Sequence, residues 1–217
     1  MRRAGWGAVA GLLVAVVVAG CAPSAGPAPN APTTQRTPSA TPTPTPTLDP
    51  AEAAVAQMSV EQRARSVVMG HVPGTDTTVL RDYMSSGLGG FILMSDNISG
   101  GPDQVRAVTA ALTVDPQLPP LIAIDQEGGV VSRLSWDALP AGRGLQSADA
   151  ASVESAFAGR AELVAAVGAN VNFGIIADVP LGPTSFIASR ALGTDADSAA
   201  TRVRAAVQGR RASSSRR

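Results

Sequence analysis

The chain has 217 residues, with 17 arginines and no lysine set against 17 acidic residues, one histidine and one cysteine, for a formal net charge of +0. That balance leaves no basic surface for nucleic acid. A single cysteine also excludes an intrachain disulfide, even in an oxidising compartment.

Residues 1–21 read as an export signal: Arg2 and Arg3 form a basic start, and Ala8 to Ala19 an apolar run too short for a spanning helix. Val18-Ala19-Gly20-Cys21 resembles a bacterial lipobox, which makes Cys21 the expected lipidation site; the alternative is a plain secretory signal with an incidental cysteine. The lipid-anchored reading places the protein on the outer face of the cytoplasmic membrane, in the cell envelope. Residues 22–48 are a Pro/Thr-rich linker ending in alternating Thr-Pro, unable to bury enough apolar surface to offset ordering entropy, and are expected to stay disordered.

Asp49-Pro50 predicts a helix N-cap with proline in the first turn, followed by a short helix over 51–57. Ser59-Val-Glu-Gln62 fits a capping box that opens a second helix. Strands are expected over 66–72 and 90–94, with helices over 78–85 and 103–112. Leu121-Ile-Ala-Ile124, after the breaker Pro119-Pro120, reads as a short buried strand. A long Ala-rich helix over 153–168, a strand over 171–178 and a helix over 197–208 complete the pattern. Strands alternating with helices argue for βαβ units and a parallel sheet. No G-x-G-x-x-G follows any strand, and Gly87-Leu-Gly-Gly90 precedes one instead, which disfavours a dinucleotide site.

In parallel α/β folds ligands bind at the carboxyl ends of strands. The strand ending at Ile124 runs straight into Asp125-Gln-Glu127-Gly-Gly-Val-Val-Ser-Arg133, so its acids sit where chemistry is expected. Gly128 and Gly129 permit a sharp turn or close approach to a ligand; the bland alternative is a strand closed by a polar turn.

The run Ile124 to Leu134 closely resembles the (I/V)-D-x-E-G-G-R-V-x-R signature of glycoside hydrolase family 3, in its bacterial β-N-acetylglucosaminidase branch, departing where Val130 replaces Arg. Ser185-Phe-Ile-Ala-Ser-Arg190-Ala-Leu-Gly is a looser match to that family's I-x-x-R-S-F-G loop. The resemblance implies an α/β fold, a (β/α)8 TIM-type barrel, of which residues 49–209 hold about the first four to five units. It implies that Asp125, Arg133 and Arg190 bind a GlcNAc-containing carbohydrate, with Asp178 and Glu127 at the rim of the site. Glu127 is expected to brace the Gly-Gly turn or pair with an arginine. No cofactor or metal is implied.

The family's K-H-F-P-G-H-G segment, His/Asp acid–base pair and Asp nucleophile have no counterpart in these residues, so no catalytic residue is assigned and the chain is expected to be inactive. Residues 210–217 form an Arg/Ser tail, which either a frameshift near residue 209 or a native basic tail explains. The implied function is a lipid-anchored, truncated relative of retaining exo-β-N-acetylglucosaminidases acting on cell-wall fragments. The alternative is a non-catalytic carbohydrate-binding lipoprotein.

Overall fold

A computed structural model describes residues 49–214. The expected export signal, the expected lipidation site Cys21 and the expected linker lie outside the described residues.

Helix α1 spans Pro50–Gln57, with the Asp49 carboxylate accepting from the Ala51 amide. Helix α2, Val60–Ser66, opens on the expected capping box: Ser59 Oγ accepts from the Gln62 amide while Gln62 Oε1 accepts from the Ser59 amide. Strand β1 is only Met69–Gly70, a correction to the 66–72 expectation. Ser66 belongs to the last turn of α2, and Val67 and Val68 leave it with their side chains exposed, so the Val-Val run is a helix exit. Gly89 permits that exit: a Cβ there would lie 1.7 Å from the Ser66 carbonyl oxygen.

Helix α3 (Thr77–Met84), strand β2 (Gly90–Leu93), helix α4 (Pro102–Leu112) and strand β3 (Leu121–Ile124) follow close to the expected bounds. The short helix α5 (Gly142–Leu145) and the long α6 (Ala150–Ala166) lead to β4, which is Val171–Asn172 rather than 171–178. The described strands form one parallel sheet in the order β1-β2-β3-β4.

Strand β4 is short because asparagine side chains take over positions that a ladder would fill. Asn170 Oδ1 accepts from the Ile122 amide and its Nδ2 donates to the Pro120 carbonyl. Asn172 Oδ1 accepts from the amides of Gln126 and Gly174, and its Nδ2 donates to the Gln126 carbonyl. The main chain is thereby released into the long loop that carries Asp178 and Arg190.

The alternation of the strands sets the core. Phe91, Leu93, Ile122 and Ile124 are buried against Leu80 and Met84 of α3, Val105, Val108 and Leu112 of α4, and Val164 of α6. Ile92 and Val171, out of phase with that set, are only partly buried.

A second cluster joins α6 to helix α7 (Ala196–Ser214): Val153 and Phe157 pack with Leu145, Leu192, Ala205 and Ala206. Helix α7 does not stop at Gly209. It runs on through Ser214, and Arg210 Nη1 donates to the Asn172 carbonyl at 2.8 Å, tying the arginine-rich end to β4. Gly209 lets the two helices touch, since a Cβ there would stand 2.2 Å from the Glu154 carbonyl oxygen. Gly209→Val is therefore expected to lower the melting temperature by roughly 2–12 °C, for about 1–3 kcal/mol of overpacking, as read by circular dichroism.

Candidate functional site

The residues singled out by the signature gather at the carboxyl end of β3. Asp125 is the first residue past the strand, and Arg133 Nη2 lies 3.6 Å from its Oδ2, with the two side chains 21% and 31% exposed. The separation exceeds a direct hydrogen bond and is that of a loose ion pair. Both groups remain open to solvent on the same surface.

Glu127 is nearly buried, and both its oxygens are taken. Arg190 donates Nε to Oε2 at 2.8 Å and Nη2 to Oε1 at 2.5 Å, a bidentate fork. Hydrogen bonding to Glu127 pushes the guanidinium pKa of Arg190 above its ordinary value against a smaller desolvation effect, and the charges of Glu127, Asp125 and Asp178 act in the same direction. Arg190 is thus ion-paired to Glu127, with Asp125 and Asp178 adding only longer-range attraction. Asp178 is exposed and reaches it through charge alone among the described contacts.

The turn between the two acids and Arg133 depends on its glycines. Gly128 and Gly129 have φ of 80° and 63°, and the Gly128 position is filled from behind by the Arg160 guanidinium, 2.4 Å from where a Cβ would sit. The tip of the turn carries Val130, 74% exposed at the position where the signature has Arg.

Asp125 and Glu127 do not form a catalytic carboxyl pair here. One faces Arg133 and the other is locked to Arg190, so Glu127 has no free oxygen with which to attack an anomeric carbon. Trp136 packs against the main core and is only partly buried. His71 follows β1, with Nδ1 3.3 Å from the Ile92 carbonyl and Nε2 3.6 Å from Asp96. No group of three or more metal-ligating side chains occurs among the described residues.

Gln126, Asp137, Arg160 and Asn172 were not singled out in the sequence, yet they build the floor beneath the site. One signal was present: Arg160 falls in the apolar stripe Val153, Phe157, Val164 of α6, a cation at a core position. Its side chain is fully buried and donates Nε to Asp137 Oδ2 at 2.7 Å.

Residues 55–214 match the glycosyl hydrolase family 3 N-terminal domain. The chain is similar to the solved β-N-acetylglucosaminidase of that family from Paenibacillus sp. str. FPU-7, with 28% identity, a TM-score of 0.65, and coverage of 72% of this chain and 31% of that one. The β-N-acetylhexosaminidase of Beutenbergia cavernae is likewise 28% identical, with a TM-score of 0.63 and coverage of 73% and 52%. LpqI of M. tuberculosis, 22% identical with a TM-score of 0.62 over 74% and 48%, shares the fold. The chain therefore spans between 31% and 52% of the length of these relatives. No curated protein matches it.

Proposed function

Since the chain belongs to glycosyl hydrolase family 3 through its N-terminal domain, we propose that the cluster at the end of β3 is the sugar-binding floor of a β-N-acetylglucosaminidase-type site. Asp125 accepts hydrogen bonds from the hydroxyls of a terminal GlcNAc, and Arg133 and Arg190 donate to its oxygens. Glu127 holds Arg190 in place. The observation that carries this reading is the convergence of Asp125, Glu127, Arg133 and Arg190, which are up to 65 positions apart in sequence, onto one partly open surface at the carboxyl edge of a parallel sheet.

The sheet is read as half of a (β/α)8 barrel, and the partly exposed Ile92 and Val171 fit its interior face. Retaining hydrolysis needs a nucleophile and an acid/base on opposite sides of the scissile bond. Neither is assigned among these 217 residues, and the function proposed for them is binding of a GlcNAc-terminated glycan rather than its cleavage. Lipidation at Cys21 and a tether through residues 22–48 would hold this surface in the cell envelope, near cell-wall fragments.

Incubation of the full chain with a chromogenic β-N-acetylglucosaminide is expected to release no more chromophore than the blank; turnover would contradict the non-catalytic reading. Asp125→Ala is expected to remove GlcNAc binding while costing at most about 1 kcal/mol of stability, because its ion pair is loose and solvated. Titration calorimetry beside a thermal melt separates the two effects.

A further inference from the structure

Beneath the charged surface lies a buried polar layer that the proposed sugar contacts do not use. Asp125 and Glu127 face arginines of the site, whereas Gln126 between them is fully buried. Its Oε1 accepts from the amides of Arg133 and Leu134 at 2.8 and 2.9 Å. Its Nε2 donates to Ser132 Oγ at 2.7 Å and to Asp137 Oδ2 at 2.6 Å. Two donors and two acceptor positions are all an amide has, and all are occupied. The partners fix its orientation, since a flipped amide would set oxygen against carboxylate and NH2 against two N–H groups.

Asp137 passes the connection on. Arg160 of α6 donates Nε to it and Nη2 to the carbonyls of Leu139 and Pro140 at 3.2 and 3.0 Å. The same guanidinium lies behind Gly128. On the other side, Asn172 pins the main chain of Gln126 to β4. The loop from 126 to 140 is thus held at both ends and through its middle.

We propose that Gln126, Asp137 and Arg160 form a buried positioning relay that fixes Arg133 relative to Asp125, so that Arg160 governs ligand binding without touching ligand. This inference rests on the sugar-binding reading of the surface above it. Stability alone explains the relay poorly. A buried ion pair is commonly matched by apolar residues of similar volume, and Arg160 Nη1 is buried with no hydrogen-bond partner among the described residues. Such a cost is expected where it sets geometry, because binding groups must be held to within about 0.5 Å.

The test is Arg160→Lys in the full chain, which keeps the charge but loses the fork to Leu139 and Pro140. Two readouts are taken by NMR: hydrogen exchange of the Arg133 and Leu134 amides, and shift changes on titration with GlcNAc. The relay predicts faster exchange at those two amides, unchanged exchange in α3 and α4, and affinity weakened about tenfold or more, the order expected when a binding group is displaced by a fraction of an ångström. Unchanged exchange, or affinity within about twofold of the parent, would overturn it. Gln126→Met, which keeps the volume, serves if the lysine variant does not fold, with the same expectations. A parent chain that ignores GlcNAc would sink the sugar reading alone, and the relay would then be decided by amide exchange.

Discussion

Arg160→Met is expected to cost about 3–5 kcal/mol, the usual penalty for leaving one member of a buried ion pair uncompensated. Arg160 and Asp137 side chains are both 0% exposed, so solvent cannot take over the lost partner. Besides the charge, the Leu139 and Pro140 carbonyls lose their donor. Removing the charge from the other side should recover part of the loss: the double variant Arg160→Met, Asp137→Asn is expected to be more stable than Arg160→Met alone. A double-mutant cycle in urea measures the coupling.

The sign of the pH dependence follows from Asp137. Burial pushes its carboxyl up, but hydrogen bonds from Arg160, Gln126 and the Leu139 amide, with the charge of Arg160, outweigh burial and hold it below the usual carboxylate value. A carboxylate depressed in the folded state contributes stability that is fully present above its unfolded value of about 3.9, and that is lost as pH falls through the folded value. The parent should therefore lose stability below about pH 4 through this group, and Asp137→Asn should lose less. In Arg160→Met the unpaired carboxylate is the problem, so acidification should shrink the deficit. A deficit that does not change with pH would contradict this assignment.

Phe157→Ala is the second large effect, at about 3–5 kcal/mol. Phe157 is 2% exposed at the centre of the α6–α7 cluster, and its ring also lies 5.1 Å from the Arg160 guanidinium. Truncation opens a cavity between two helices and removes the aromatic face on which the buried cation rests. The melting temperature is expected to fall by roughly 6–20 °C. Leu181→Ala is the control: Leu181 is fully exposed, and its loss should stay within about 0.5 kcal/mol.

Most of the framework was legible because the relevant signals are local. The capping box at Ser59, the proline at the start of α4 and the four-residue apolar run of β3 each act within one turn or one strand. The failures were tertiary. Val67 and Val68 have high strand propensity, but the close approach of Gly89 to the end of α2 leaves the chain only two residues to pair with β2. Val171 to Asp178 reads as one strand, but the side-chain amide of Asn172 takes the main-chain groups of Gln126 and ends the ladder early. Helix α7 outruns its expected end because Arg210 finds a carbonyl on β4, a partner no local pattern announces.

At the site, the signature located Asp125, Glu127 and Arg133, and the looser loop located Arg190. The pairing of Glu127 with Arg190 was one of two roles left open for Glu127, and the bidentate fork selects it. What stayed hidden was the layer below. Gln126 looks like a variable position inside a charged motif, and Asp137 looks like a polar loop residue; only the fold brings both under Arg160.

Whether these residues form a GlcNAc-binding surface is decided by titrating the 217-residue chain with GlcNAc while recording backbone amide shifts. Saturable changes are expected, confined to residues 125–134 and the neighbourhood of Arg190 and abolished in Asp125→Ala. Shifts elsewhere in the chain, or none at millimolar sugar, would contradict the sugar-binding reading.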